Sequence, residues 1–261
     1  MKILVCVKQV PDTTEVKINK ETGTLIRDGI PSILNPDDAN ALEEALRLKD
    51  KTEDTTVTVM TMGPPQAEVM LRECLAMGAD EAVLLSDRAF GGADTWATSG
   101  TLAAGIRKMG EFDIIFAGRQ AIDGDTAQVG PQIAEKLNLP QVTYVQKVKI
   151  EGDTAIVQRQ LEDGYEVIGV KMPVLLTAVK ELNEPRYMFV DKIFEGYSKE
   201  ITRLALSDLD INPDAVGLKA SPTKVYKSFT PAVKGKGIML SGTTKENVGS
   251  VMALLKEKHI I

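Results

Sequence analysis

The segment Ala117-Gly-Arg-Gln-Ala-Ile-Asp-Gly-Asp-Thr-Ala-Gln-Val-Gly-Pro131 gathers glycines, acids, a threonine and an arginine between two apolar stretches. Gly118 and Gly124 allow a backbone to approach a phosphate closely. Asp125, Thr126 and Gln128 can cap a helix or bind ribose hydroxyls and phosphate. Ile114-Ile115-Phe116 ahead of the segment reads as a buried strand, and Val129, Ile133, Ala134 and Leu137 behind it recur at helical spacing. A loop from a strand's carboxyl end to a helix start is where open α/β sheets bind ligands, because unpaired N–H groups and the positive dipole end await an anion there. The chemistry indicated is that of a nucleotide or dinucleotide cofactor; the plainer reading is a polar strand-to-helix turn. Neither G-x-G-x-x-G nor the phosphate loop ending in Gly-Lys-Ser/Thr is present. A proline inside a helix costs about 3 kcal/mol, so Pro131 predicts a helix beginning at Pro131 and a ligand-wrapping loop over 123–130.

Other residues are placed to join this loop. Val10-Pro11-Asp12-Thr13 follows the first strand-like run, and Met62-Gly63-Pro64-Pro65 follows the second long one. At a shared sheet edge the three loops form one crevice; singly, each is ordinary turn chemistry. Phe90-Gly-Gly-Ala-Asp-Thr95 resembles the Gly-Gly-x-Asp loop of ATP pyrophosphatases but lacks its flanking serines, and Asp94 reads better as a helix cap with Thr95 near the ligand. Cys6 and Cys74, in apolar settings, read as inert core residues with no disulfide framework. Asp37, Asp38, Glu43 and Glu44 read as a helix N-terminus and a solvated face. Leu182-Asn-Glu-Pro-Arg-Tyr187 is a plain loop or, with Met188 and Phe189 behind it, a partner-facing surface. The sole histidine is His259, which leaves no histidine triad or histidine-rich metal site. Redox or group-transfer chemistry would have to come from a cofactor.

The elements that position these residues follow from periodicity. The near-continuous apolar run of residues 2–7 reads as a central parallel strand. Residues 16–18 and 24–26 suggest a small surface hairpin. Asn35 is a suitable N-cap with Pro36 at the first helical position, ahead of Ala41, Leu42, Ala45, Leu46 and Leu48 on one face. A strand at 56–62, a helix through Leu71 to a Gly78 stop, a strand at 81–85, a helix from Asp94 and a strand at 113–117 continue the alternation. Residues 1–139 therefore predict a mostly parallel sheet with helices on both faces. Residues 142–150, 154–161 and 165–171 read as an antiparallel meander, and 174–178 as a further buried strand. From Leu204 the chain is irregular until a helix over 245–258, which predicts an α/β domain at 1–203 and an arm at 204–261.

Composition agrees with a soluble globular protein: 261 residues, 43% hydrophobic and 26% charged. Net charge of −6 and the absence of a basic run argue against nucleic acid. No apolar run is long enough for a bilayer and no apolar signal segment follows Met1, so no membrane insertion and a cytoplasmic location are expected.

Six ordered blocks carry a family resemblance: Cys6-Val-Lys-Gln-Val-Pro-Asp-Thr13; Asn35-Pro-Asp-Asp38 with its helix; Met62-Gly-Pro-Pro-Gln66; Ala76-Met-Gly-Ala-Asp80; 117–131; and 182–187. Along nearly its whole length the chain resembles the β subunit of electron-transfer flavoproteins. The resemblance implies an adenine-nucleotide-binding, Rossmann-like α/β fold, an obligate heterodimer with an α subunit, and a C-terminal arm packing on that subunit. It also implies that Asn183, Glu184, Pro185, Arg186 and Tyr187 begin the loop that meets an acyl-CoA dehydrogenase or related flavoenzyme. Members hold either a structural AMP or, in the electron-bifurcating branch, a second FAD; the 10–13 and 123–131 loops look like that branch. It is then implied that NADH donates to this FAD, with ferredoxin or flavodoxin as the second acceptor. By the same resemblance, Gly118, Thr95, Asp123, Gly124, Asp125, Thr126, Ala127, Gln128, Val129 and Gly130 hold the pyrophosphate and ribose side. Cys6, Val10, Pro11, Asp12, Asn35, Asp38, Met62 and Gly63 line the remainder, and Arg119 and Gln120 contact the flavin. No residue of the chain is implied as an acid–base catalyst. A stand-alone nucleotide sensor of the universal-stress type is the reading from another class; the long arm opposes it.

Overall fold

Strand β1, Lys2–Cys6, sends Ile3 and Val5 into one core and Leu4 and Cys6 into another, so it is covered by helices on both sides. The computed structural model describes residues 1–12, 31–227 and 235–261. After β1 come β2 (Gln9–Pro11), β3 (Ser32–Leu34), α1 (Pro36–Lys51), β4 (Thr56–Met62), α2 (Glu68–Met77), β5 (Glu81–Leu85), α3 (Thr95–Met109), β6 (Ile114–Gly118) and α4 (Val129–Leu137). Then follow β7 (Gln141–Glu151), β8 (Thr154–Gln160), β9 (Tyr165–Lys171), β10 (Val174–Ala178), α5 (Val190–Ser198), β11 (Ile201–Leu204), α6 (Gly217–Ala220) and α7 (Thr244–Glu257).

The nine-stranded sheet has the order β11-β5-β4-β1-β6-β10-β7-β8-β9. Pairing is parallel from β11 to β7 and antiparallel for β7–β8 and β8–β9. The expected α/β class and meander are both present. From β1 the chain builds outward through β4 and β5, then returns to β6 on the other side of β1. That reversal opens a crevice at the carboxyl ends of β1 and β6. Helices α1 and α2 share a core with Ile3, Val5, Val57 and Phe116, whereas residues of α3 and α4 pack with Leu4, Met60 and Ile115.

The described chain divides into two compact units, Met1–Tyr226 and Lys227–Ile261. The first unit continues past residue 203: β11 pairs with β5, and Leu209 and Val216 are buried in the α3 core. Neither β11 nor α5 is among the elements expected above. The hairpin expected at 16–18 and 24–26 lies outside the described residues, as does Thr13. Val10 and Pro11, read as part of a turn, are strand residues of β2, paired with Ile33 and Ser32 of β3. Among the described residues no helix is long and apolar enough to cross a membrane.

Candidate functional site

Helix α4 begins at Val129 rather than Pro131. Pro131 falls in the first turn, where an amide has no helical acceptor and the residue four back, Ala127, lies outside the helix. The missing N–H and the ring therefore cost nothing there. The connection from β6 is thus 119–128, shorter by three residues than the 118–130 that the sequence suggests.

This loop is held in an uncommon shape. The Ala121 carbonyl accepts from both Gly124 N–H (3.2 Å) and Asp125 N–H (2.9 Å). Asp125 (φ +49°) and Ala127 (φ +52°) are left-handed without being glycines, a conformation that persists only where surroundings impose it. Left-handed Ala127 precedes Gln128 at φ −111°, ψ −28°. Such alternation turns successive N–H groups to one side and makes an anion-binding concavity. Among the described residues, the N–H groups of Thr126, Ala127 and Gln128 meet no protein acceptor. A Cβ on Gly124 would meet nothing within 4 Å. These N–H groups lie at the start of α4, so the loop fits a phosphate or pyrophosphate.

Several contacts fasten the loop to its neighbours. Lys8 Nζ donates to Asp123 Oδ1 (2.6 Å), joining the loop after β1 to the loop after β6. Asn35 Nδ2 donates to the Gln120 carbonyl (2.9 Å), and its Oδ1 accepts from Ile122 N–H (3.1 Å). Asn35 does precede α1, but its side chain makes no capping bond. Thr95 hydroxyl bonds Gln128 Oε1 (3.0 Å), and Gln132 Nε2 donates to Thr95 (3.3 Å), while Asp94 caps α3 through Ala97 N–H. Gln120 Nε2 donates to Asp125 Oδ1 (2.9 Å). A Cβ on Gly130 would sit 2.7 Å from Thr177 Cγ2, so the first turn of α4 lies against β10.

Asp38 lies beneath the loop. Its Oδ1 accepts from Gly118 N–H (2.9 Å) and its Oδ2 from Lys8 N–H (2.8 Å). A Cβ on Gly118 would clash with Asp38 Oδ1 and come 2.8 Å from Asp37 Cβ, so the strand end needs glycine to reach this carboxylate. Burial pushes the Asp38 pKa up to about 7, against the opposing hydrogen bonds from Gly118, Asn35 and Lys8. Burial, with Asp38 nearby, also pushes the Cys6 thiol up to about 12, so Cys6 stays a neutral thiol. Asp37 is raised by burial despite Arg119, whose Nε stands 3.4 Å from Asp37 Oδ2. The Arg119 guanidinium also stands 5.8 Å from the Tyr144 ring, so it is engaged with α1 and β7.

Structure thus brings together most of the residues chosen from sequence. Cys6, Met62, Gly63, Gly118 and the 119–130 segment share the carboxyl edge of β1, β4 and β6. Asn35, Asp38 and Asp123 act on the loop through hydrogen bonds and an ion pair. Val10 and Pro11 are buried, whereas Asp12 is exposed. Lys8 went unremarked in the sequence; its position just after a central strand is the only signal it offers.

The acidic residues of α1 do not form a solvated face. Asp37, Asp38, Asn40, Glu43 and Glu44 are all buried. Glu43 accepts from Arg186 Nε (2.7 Å), Arg186 N–H (3.1 Å) and Arg47 Nε (2.8 Å). Burial opposes its charge, but the Arg186 and Arg47 bonds prevail and hold its pKa below the usual range. Asn183 Nδ2 reaches the Asn40 carbonyl and Glu44 Oε2, both at 3.0 Å. The 183–187 segment is therefore no plain loop: Asn183 and Arg186 turn inward, while Tyr187, Met188 and Phe189 are exposed.

Residues 22–209 match the family described as electron transfer flavoprotein domain. The chain is 66% identical to the caffeyl-CoA reductase-Etf complex subunit CarD of Acetobacterium woodii, over 100% of both chains. It is 62% identical to an electron transfer flavoprotein subunit beta of Clostridium acetobutylicum, again over 100% of both. With the acryloyl-CoA reductase electron transfer subunit gamma of Anaerotignum propionicum it shares 54% identity over 100% of both chains.

Proposed function

This chain belongs to the electron transfer flavoprotein family as a β subunit, and we propose that its crevice holds FAD as the electron-bifurcating flavin of a heterodimer with the α subunit. The observation that carries this reading is the 119–128 loop, whose left-handed residues and N–H groups without an acceptor among the described residues suit a pyrophosphate at the start of α4.

The chemistry that FAD supplies when bound is acceptance of a hydride from NADH and release of electrons singly, one toward the α-subunit FAD and one toward ferredoxin or flavodoxin. This chain's share is binding and placement. The N–H groups of Thr126, Ala127 and Gln128, with Val129 and Gly130 of α4, receive the pyrophosphate. Gly124 leaves its side open for the ligand, and Thr95 and Gln128 face the ribose. Lys8, Asn35 and Asp38 hold the loop ends, and Met62 and Gly63 border the same edge. Arg119 and Gln120 border the flavin end. Tyr187, Met188 and Phe189 present an apolar surface to an acyl-CoA dehydrogenase-type flavoenzyme. The names of two relatives, which place them with caffeyl-CoA and acryloyl-CoA reductases, support that partner class.

The test is release and identification of the nucleotides from the purified heterodimer. Two FAD per heterodimer are expected. One FAD with one AMP would overturn the bifurcating reading and leave a structural nucleotide site.

A further inference from the structure

Helix α1 touches the candidate cofactor loop at one end and the candidate partner segment along its length. At its start, Asn35 binds Gln120 and Ile122, and Asp38 binds Gly118 and Lys8. Further along, Glu43 and Asp50 are bridged by Arg186, whose Nη2 donates to Asp50 Oδ2 at 2.8 Å. Asn40 Nδ2 donates to the Asn183 carbonyl (2.7 Å), and Asn183 Nδ2 returns a bond to the Asn40 carbonyl (3.0 Å). Asn35 and Glu43 are eight residues apart, about 12 Å along the axis at 1.5 Å per residue.

We propose that α1 is a strut that sets the partner-facing segment at a fixed place relative to the cofactor crevice, with Glu43 as its positioning residue. The proposal rests on reading Tyr187–Phe189 as the surface met by the acyl-CoA dehydrogenase-type partner.

The geometry supports positioning. Arg186 is held at its backbone N–H and at two guanidinium nitrogens, so the segment can neither slide along α1 nor rotate away from it. Immediately afterwards the chain emerges with Tyr187 at 93% exposure. Phe189 N–H then bonds the Ala76 carbonyl of α2 (3.2 Å), which pins the exposed stretch at its other end. Glu43 itself is 3% exposed, out of reach of any partner. Whatever Glu43 contributes to partner docking must therefore pass through the two arginines it holds, Arg186 and Arg47, the second of which donates from Nη2 to the Glu184 carbonyl (3.2 Å). Without the charge-assisted bonds to Glu43, the segment must be ordered when the partner docks, which weakens docking.

The test uses the intact heterodimer with Glu43→Gln, Glu43→Asp and the double variant Tyr187→Ala/Phe189→Ala. NADH is the donor, ferredoxin in excess takes the second electron, and an acyl-CoA dehydrogenase with crotonyl-CoA is the other acceptor, the dehydrogenase concentration varied. Glu43→Gln is expected to lower kcat/KM for the dehydrogenase roughly tenfold or more, mainly through KM. Flavin content and the rate of flavin reduction by NADH are expected to stay at wild-type values. Glu43→Asp keeps the charge and is expected to recover part of the loss. The amides of Arg186 and Phe189, which are hydrogen-bonded in the wild type, are expected to exchange faster with deuterium in Glu43→Gln. Unchanged exchange there, unchanged KM, or a parallel loss of flavin would each overturn the strut. Wild-type partner kinetics in the double variant would instead overturn the partner reading, whatever Glu43 does.

Discussion

Asp38 shows at the scale of one residue how the crevice is closed at its base. Both of its oxygens accept backbone N–H groups, one from each side of the β1–β6 junction, and among the described residues no cation pairs with it. With its pKa raised to about 7 by burial, the folded chain binds more protons than the unfolded chain between about pH 4 and 7. Its contribution to stability must therefore fall as pH rises through that window and level off above it. Denaturant unfolding of wild type and Asp38→Asn across pH 4–8 checks this: wild type should lose stability relative to the variant up to about pH 7. A difference that stays flat would show that Asp38 ionises as it does in water. The sequence marks Gly118 as a close-approach glycine, but not what it approaches. Its neighbour is Asp38, 80 residues away in the chain, rather than a phosphate. Gly124, chosen for the same reason, does face open space.

At the scale of elements, periodicity locates the strands and helices well and says less about what covers their polar sides. Ala41, Leu42, Ala45, Leu46 and Leu48 identify the core face of α1 correctly. A polar stripe opposite looks solvated in any helical projection; residues 183–186 cover Asn40, Glu43 and Glu44, the ends of β1 and β6 cover Asp38, and both pairings are non-local. α5 departs from that rule in the other direction: Val190, Ile193, Phe194 and Tyr197 have the spacing of an amphipathic helix, yet Val190, Phe194 and Tyr197 are exposed. Asn35 shows the same limit at a helix start. It has the right residue type and place for a cap, yet its amide is engaged with the cofactor loop. Replacing it with alanine should therefore leave α1 nearly intact and release the loop. We expect the Ile122 amide to exchange with deuterium several-fold faster in Asn35→Ala, as loss of a hydrogen bond worth about 1 kcal/mol implies. Amides within α1 should keep their wild-type protection. Faster exchange throughout α1, with Ile122 unchanged, would restore the capping role.

On the scale of the whole molecule, the strand order places every candidate cofactor residue in the first unit, which builds its own two-faced core. The second unit is different in kind. Among its described residues α7 is the one regular element, opened by a capping box in which Thr243 and Glu246 bond each other's backbone. Val248, Val251, Met252 and Leu255 recur at helical spacing on it, and nothing else described within that unit can bury such a stripe. Thirty-five residues with one short helix cannot build a core of their own. We propose that the α subunit covers this stripe. A chain ended after Tyr226 should keep the thermal unfolding of the first unit and its far-ultraviolet dichroism. Mixed with the α subunit, it should elute from size exclusion as two separate species where the full chain gives one. A truncated chain that still forms the heterodimer would mean that the first unit alone makes the subunit contact. In that case the arm's apolar helix is not what holds the two subunits together.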